Sequence, residues 1–435
     1  MKVAIVGAGW AGLAAAVAAT QAGHHAIVFE ASHAIGGRAR GLKGSKNTTL
    51  PNGQPAHLDN GQHILIGAYT DTLALMRAVG VQPEKVLLNL PMALRFPDGQ
   101  GIEFNRWPTP LDALAGMASA RGWSLRDKAV LLRHALGWQL KGFACPAQLT
   151  VAQLCQRLTP RVLTELIEPL CVSALNTPAH SASAEVFLRV LRDALFGVQG
   201  GSRLLLPTVD LSALFPEPAA AWLVQHGGQV RLGRRVHSLQ PAGAGWQVEG
   251  EVFDALILAN AASNMALALD NTAKTATYSI ASKLQQSAAL CQALRFEAIT
   301  TVYAWAATAR LSHPMLALRS STQAPAQFVF DRGQLGGAAG LLAFVVSASS
   351  LERAPLQAQV LAQAQTQLGL PLQAVQTVVE KRATFACTPA LQHPAHAVAP
   401  GLWLCGDHVQ ATYPATLEGA VRSGLAAAQG LGGLS

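Results

Sequence analysis

Residues 1–40, MKVAIVGAGWAGLAAAVAATQAGHHAIVFEASHAIGGRAR, decide the fold. Lys2-Val3-Ala4-Ile5-Val6 is a short apolar run of the kind a buried parallel strand shows, and Gly7-Ala8-Gly9-Trp10-Ala11-Gly12 follows it directly. Ala14 to Gln21 reads as a small-residue helix stopped at Gly23, and His25 to Phe29 as a second strand ending at Glu30. This order predicts a βαβ unit that holds a dinucleotide. Gly7 permits the tight turn, Gly9 lets the backbone approach a pyrophosphate, and Gly12 lets helix and strand pack closely, with the phosphates at the helix N-terminus. Glu30 lies 18 residues beyond Gly12, where a carboxylate at the strand end can accept hydrogen bonds from an adenosine ribose. The same stretch has the basic start, apolar run and small residues of an export signal. Such a signal has no use for the glycine spacing or for the acid, and the dinucleotide reading is preferred.

Composition bounds the rest of the chain. A chain of 435 residues has room for two or three domains and a sizeable core. Only 13% of its residues are charged and 50% are hydrophobic, against ~25% charged in an average soluble domain, so an apolar ligand is expected. No run reaches the ~18 uninterrupted apolar residues of a spanning helix, and a soluble or peripheral cytoplasmic protein is expected. Cys145, Cys155, Cys171, Cys291, Cys387 and Cys405 form no C-x-x-C pair. Free thiols in a reducing compartment, and no metal site, follow as expectations. The net charge of +8 comes without the basic run or aromatic-interleaved patch of a nucleic-acid binder, which argues against that partner, and it suits an anionic membrane surface better.

Further along, residues 226–239 read as a turn, a strand and the start of another. Trp246 to Glu249 and Glu251 to Phe253 are spaced as a hairpin, and Asp254 to Ala261, which contains Ala259, as a buried strand ending in small residues. Near the C-terminus, Gly401 to Cys405 is a short strand; Gly406-Asp407 and a loop follow, and Ala415-Thr416-Leu417-Glu418-Gly419 opens a last small-residue helix.

Ile35-Gly36-Gly37-Arg38, just after Glu30, resembles the glycine-glycine-arginine continuation found in the amine oxidase and phytoene desaturase superfamily of FAD enzymes. The resemblance implies an α/β fold, with a Rossmann-like FAD-binding domain and a discontinuous α+β substrate domain. It places residues 1–90, 205–270 and 390–435 in the former and 91–204 and 271–389 in the latter. It further implies that Arg38 approaches the FAD phosphates, that the backbone near Val236 meets the adenine, that Asp407 lies against the ribityl and phosphate portion, and that the last helix points its N-terminus at the flavin. There its free N–H groups would stabilise a reduced, negatively charged ring. Glu418 is either part of that site or a simple helix-start residue.

Four stretches narrow the resemblance: Asp59-Asn60-Gly61-Gln62-His63-Ile64-Leu65-Ile66-Gly67-Ala68-Tyr69, Leu175-Asn176-Thr177-Pro178, Phe187 to Ala194, and Leu211 to Ala219. Together they look like the squalene-associated FAD-dependent desaturases, or hydroxysqualene dehydroxylases. His408-Val409-Gln410 departs from the pattern, since many relatives carry a Trp-Thr pair after the Gly-Asp. The resemblance implies reduction of hydroxysqualene, an allylic C30 alcohol, to squalene, with reduced FAD as hydride source and an unidentified reductant behind it. On this reading the cofactor lies against Gly7, Gly9, Trp10, Ala11, Gly12, Glu30, Gly36, Gly37, Arg38, Asn60, Gly61, Gln62, Val236, Ala259, Gly406, Asp407, Ala415, Thr416, Leu417 and Glu418. Hydroxide leaves poorly unless protonated. His63 is the first candidate donor, with His408 and Tyr413 behind it, and Asp59 either orients His63 or holds a turn. The rival readings are a carotenoid or phytoene-type desaturase running the redox chemistry the other way, and a non-catalytic isoprenoid carrier.

Residues 106–160 hold seven basic side chains (Arg106, Arg121, Arg126, Lys128, Arg133, Lys141, Arg157) against Asp112 and Asp127, with Trp107, Trp123 and Trp138 among them. Helical amphipathic spacing from Lys128 to Leu140 makes this a candidate surface for an anionic bilayer, the alternative being a solvated basic face over an aromatic core.

Overall fold

The computed structural model describes residues 1–42, 48–108 and 110–434; Thr109, inside the basic stretch, lies outside them. Its organising layer is a six-stranded sheet. From one edge, the strands are Ala397–Ala399, Leu402–Leu404, Ala255–Leu258, Lys2–Val6, His25–Phe29 and Gln229–Arg231, all parallel except the first. Lys2–Val6 is central because four of its five residues are buried apolar side chains with no exposed face to offer, the pattern of a strand covered on both sides. The two covering layers separate by strand period: Val3 and Ile5 face one apolar cluster, Ala4 and Val6 the other.

The helix after the first strand begins at Trp10, not at Ala14, and runs to Gln21. Its glycines serve close approach. Gly12 carries no Cβ because one would stand 1.9 Å from the Gly7 carbonyl oxygen, and Gly424, in the last helix Leu417–Gly430, meets the Ala11 carbonyl at 2.2 Å in the same sense. The first and last helices of the fold are thereby packed against each other at backbone distance.

The hairpin expected at 246–253 forms between Gly245–Val248 and Glu251–Phe253, with Leu239–Ala242 as a third strand. Helices Ala262–Ala273 and Tyr278–Ala293 follow, and their apolar faces (Met265, Leu269, Leu284, Ala288, Cys291) share a core with Leu256 and Leu258 of the dinucleotide sheet. The position at 270–271 therefore falls inside a helix of this layer, and the chain leaves the layer only near Leu294. At the other crossing, strand Leu87–Leu90 and the returning strand Leu204–Pro207 are hydrogen-bonded neighbours.

The second sheet is antiparallel, in the order Met315–Ala317, Phe328–Asp331, Leu341–Ser347, Phe296–Trp305, Gln373–Phe385. Leu341–Ser347 is buried throughout and alternates between two clusters: Leu342, Phe344 and Val346 pack under helix Arg353–Leu368, while Leu341, Ala343 and Val345 look toward a helical layer built from residues 111–192. That layer includes Leu111–Ser119, Leu125–Leu140, Val151–Cys155, Glu168–Leu175 and Ala184–Arg192. Ser124 and Asp127 form a reciprocal cap on the long helix Leu125–Leu140. Two π-helical turns, Leu163–Ile167 and Asp193–Gly197, interrupt the layer, and Pro169 beside the first removes one N–H from the ladder. Among the described residues no helix is long and apolar enough to cross a membrane.

Candidate active site

A cavity of about 840 Å³ runs along the C-terminal ends of the parallel strands, where open α/β sheets bind ligands. Gly7, at φ +117°, makes the turn into the first helix; a Cβ there would meet the Ala259 carbonyl oxygen at 2.7 Å. Gly9 is different in kind, since the nearest atom to a Cβ would be the Gly37 Cα at 3.9 Å, across open space. Gly9 also caps its helix with no side chain bonded to the free amides. Uncapped N–H groups facing a cavity are what a pyrophosphate requires. Trp10 and Ala11 line the cavity, whereas Gly12 lies behind it as a packing residue.

Glu30 stands at the end of the second strand as expected, with one carboxylate oxygen accepting from Ala8 N–H and the other from Ser32 N–H, both at 2.8 Å. Two backbone bonds fix the carboxylate while each oxygen keeps a second lone pair for a ribose hydroxyl. Arg234 and Arg235, which the sequence reading left without a role, line the same end; Arg234 N–H donates to the Glu30 carbonyl at 2.8 Å. Val236 and Ala259 line the cavity as well, and Asn260, also on its wall, has a buried Oδ1 without a partner among the described residues.

At the middle of the cavity the two ends of the chain meet. Gly36 and Gly37 line it, and the Arg38 guanidinium donates to Asp407 Oδ1 at 2.6 Å and to the Ala383 carbonyl at 2.9 Å. Burial alone would raise the Asp407 carboxyl; the Arg38 charge and hydrogen bonds from His408 and Arg38 outweigh it and hold the group well below the usual carboxylate range. Asn60 clamps this turn, its amide donating to the Arg38 carbonyl and its Oδ1 accepting from Arg40 N–H at 3.2 Å. Gly61, Gln62 and His63 continue along the wall. Gln62 Oε1 accepts from Arg332 at 3.0 Å, while Arg332 itself is buried with its Nε unpartnered among the described residues. Gly406 and His408 line the cavity from the segment after strand Leu402–Leu404.

Ala415, Thr416 and Leu417 bring the N-terminus of the last helix to the cavity. Thr416 is its cap, with Oγ1 accepting from Gly419 N–H at 3.0 Å. Glu418 is not part of the cofactor wall. Its carboxylate is buried and accepts from Asp71 and Thr72 N–H and from Thr72 Oγ1, with Arg422 at 2.8 Å. It fastens the last helix to helix Thr70–Ala78 and satisfies that helix's free N-terminal amides.

The four candidate acid-base residues separate. His63 faces the dinucleotide cavity; burial lowers its imidazole, only partly opposed by the Gly61 carbonyl bonded to Nδ1 at 3.0 Å, and Arg38 lowers it further. Asp59 does not orient His63. Its Oδ1 accepts from Leu211 N–H at 3.0 Å and Arg332 stands 3.8 Å from Oδ2, so it holds the turn at 211; burial raises this carboxyl to about 6 against both partners. His408 is buried with Nδ1 at 3.3 Å from Asp407. Tyr413 lies outside the dinucleotide cavity, donating to Asp193 Oδ2 at 2.5 Å beneath the Arg422 guanidinium.

A second cavity, about 550 Å³, opens inside the helical layer, with walls that are mostly Leu, Ile, Met, Phe and Val from 92–143 and 166–204. Both π-helical turns contribute to it. The two cavities meet at Ile64, Tyr69, Ser173, Ala174 and Thr416, each of which lines both. Asn176 is another wall residue of the first cavity that the sequence reading quoted without a role. It ends its helix at φ +47°, and its side chain donates to Thr384 Oγ1 and accepts from Ala348 N–H.

Comparison with known proteins agrees with this geometry. The family model for flavin-containing amine oxidoreductases matches residues 10–431. The chain belongs to that family. As a flavin-containing amine oxidoreductase it is an FAD-dependent oxidoreductase, and the cradle of free amides, Glu30 and Asp407 fits FAD. This family member is 26% identical over 98% of its length, and over 97% of the relative's, to a hydroxysqualene dehydroxylase of Zymomonas mobilis. It is 40% identical to a zeta-carotene desaturase of Synechocystis over only 19% of its length and 15% of the relative's. In fold it superimposes on an oxidoreductase from Methanosarcina mazei with a TM-score of 0.71, covering 99% of this chain and 100% of that one at 14% identity.

Proposed function

We propose that this FAD enzyme reduces hydroxysqualene to squalene. The observation that carries the reading is the junction of the two cavities: a dinucleotide site opening, at Tyr69 and Thr416, onto an apolar chamber of about 550 Å³. A long isoprenoid offers a protein almost nothing but apolar surface, and a chamber lined by aliphatic and aromatic side chains takes it from water at ~25 cal/mol per Å² buried. Bound and reduced, FAD supplies a hydride; the residues of the chain hold the substrate's reacting carbon at the junction, exclude water and deliver a proton. Full-length similarity to a hydroxysqualene dehydroxylase, against a short match to a carotene desaturase, favours dehydroxylation over desaturation. In anaerobic single turnover, the photoreduced protein mixed with hydroxysqualene is expected to reoxidise its flavin and release one squalene per flavin. Reoxidation without squalene, or efficient desaturation of phytoene by the oxidised protein, would remove the reading.

The chamber also implies an entrance. Leu114, Leu132, Leu136, Phe196 and Val198 line it yet are exposed, and Leu125 and Leu140 on the same helix as Leu132 are 85% and 89% exposed. Arg126, Lys128, Arg133 and Lys141 lie on or next to this helix. We place this face on an anionic lipid surface, where each basic side chain contributes ~1 kcal/mol. Charge reversal at Arg126, Lys128 and Arg133 is expected to abolish flotation with phosphatidylglycerol vesicles while leaving FAD content unchanged; unchanged flotation would exclude the surface.

A further inference from the structure

We propose that the phenol of Tyr69 gives its proton to the oxygen that leaves the substrate. The assignment rests on the dehydroxylation reading and adds the catalytic acid to it. Tyr69 ends the Asp59–Tyr69 stretch, immediately before helix Thr70–Ala78, and lines both cavities. A carbon that must be reached from the dinucleotide on one side, while its hydrocarbon chain occupies the apolar chamber on the other, can only sit where the two meet. Three polar side chains line that junction: Tyr69, Ser173 and Thr416. The Ser173 hydroxyl already donates to the Leu170 carbonyl at 3.1 Å. Thr416 Oγ1 accepts from Gly419 N–H, and the Thr416 side chain, on the same junction as the Tyr69 phenol, acts on that phenol in the direction opposite to burial. Among the described residues no carbonyl or carboxylate accepts from the Tyr69 phenol, which leaves its proton for a ligand at the junction, with the Thr416 hydroxyl lining the same wall.

The other candidates are less well placed. Tyr413 lines only the apolar chamber and its proton is held by Asp193. His63 and His408 line only the dinucleotide cavity, and burial keeps His63 neutral with Nδ1 on the Gly61 carbonyl. Burial and the nearby Glu418 carboxylate push the Tyr69 phenol well above its ordinary range. That makes it a reservoir that does not ionise in the resting protein. It still suffices as a donor, because departing hydroxide is the conjugate base of water, pKa about 15.7.

The balance is complete. The C–O bond breaks with its electron pair on oxygen; the oxygen takes the Tyr69 proton and leaves as water. Held in the cavity by Glu30, Arg38 and Asp407, bound, reduced FAD would supply the two electrons as a hydride to the carbon, and the Tyr69 phenolate recovers its proton from solvent.

The test compares Tyr69→Phe with the wild type, both photoreduced and anaerobic, in single turnover with hydroxysqualene and with its acetate ester, whose departing carboxylate needs no proton. Tyr69→Phe is expected to keep normal FAD content and melting temperature, to lose ~10²-fold or more on the alcohol, and to stay within about threefold of the wild type on the ester. In the oxidised protein, its preference for hydroxysqualene over squalene in equilibrium binding should fall roughly fivefold, the worth of one neutral hydrogen bond. An unchanged rate on the alcohol overturns the assignment, and so does an equal loss on alcohol and ester, which would mark a packing role. If the wild type itself fails to reduce hydroxysqualene, the reaction falls and Tyr69 with it; if the wild type succeeds and Tyr69→Phe matches it, only Tyr69 falls.

Discussion

Substituting Gly12 by alanine is expected to abolish folding of the dinucleotide layer, whereas alanine at Gly9 should leave the fold intact and abolish cofactor binding. The two glycines lie three residues apart in one motif, yet their surroundings are opposite. At Gly12 a Cβ would stand 1.9 Å from the Gly7 carbonyl oxygen and 3.0 Å from the Ala259 Cβ, in a helix buried on all sides. Backbone cannot yield there without opening the turn between the first strand and the first helix, so a cost of at least ~3 kcal/mol is expected. At Gly9 the backbone is extended, with φ −78° and ψ −179°, and nothing stands within 3.9 Å of a Cβ. Alanine is tolerated by the empty protein, and its methyl occupies the space the pyrophosphate needs. Thermal unfolding of the cofactor-free proteins, with flavin absorbance after reconstitution, checks both. The contrast fails if Gly12→Ala melts like the wild type or if Gly9→Ala purifies yellow.

The second large effect concerns the ion pair between Arg38 and Asp407. Removing one member of a buried pair strands the other, at about 3–5 kcal/mol. The Arg38 side chain is 35% exposed, toward the cavity, which reduces the expected cost of Arg38→Ala to ~2 kcal/mol. Its pH dependence has a definite sign. In the wild type Asp407 is held below its unfolded value, so the stability it contributes is fully present above pH ~4 and is lost only as pH falls toward the depressed folded value. Without Arg38, burial becomes the dominant influence and the folded carboxyl rises above its unfolded value; the variant is then penalised while Asp407 is ionised and relieved as it protonates. The gap in melting temperature between wild type and Arg38→Ala should be widest at pH 7–8 and shrink toward pH 4. Asp407→Asn added to Arg38→Ala should recover part of the loss at pH 7. A gap independent of pH would rule out this account of the pair.

Much of this architecture is legible in the sequence. The first strand, its glycine turn and the second strand follow from local rules, because apolar run length, close approach and strand-end acid all act within about thirty residues. The hairpin at 245–253 was legible for the same reason, its turn at Glu249-Gly250 requiring positive φ at both positions. What escaped was set at long range. Glu418 looks like any acid in a first helical turn, and only the arrival of Thr72 from 346 positions away shows that it fastens two helices together. Asp59 looked like a partner for His63, four residues on, but its acceptor geometry is taken by Leu211, 152 positions away. The start of the first helix was missed because Trp10 and Ala11 sit within the glycine motif, where propensity argues for turn, while the sheet end beneath them enforces helix. The apolar chamber had no local signature beyond a scarcity of charge, since its walls come from segments with no common periodicity. Its meeting with the dinucleotide site at Tyr69 is a property of the tertiary fold alone.

The Arg38–Asp407 pair spans 369 positions, and strand Leu402–Leu404, which leads to Asp407, joins the sheet beside Ala255–Leu258. During synthesis on the ribosome, the central strand Lys2–Val6 meets His25–Phe29 early and Ala255–Leu258 midway, but the nucleotide pocket stays open on one side until the segment around Asp407 has emerged. Flavin capture is thus a late event in biogenesis, and cellular supply of the vitamin would govern how many finished chains mature without influencing how the early ones begin to fold.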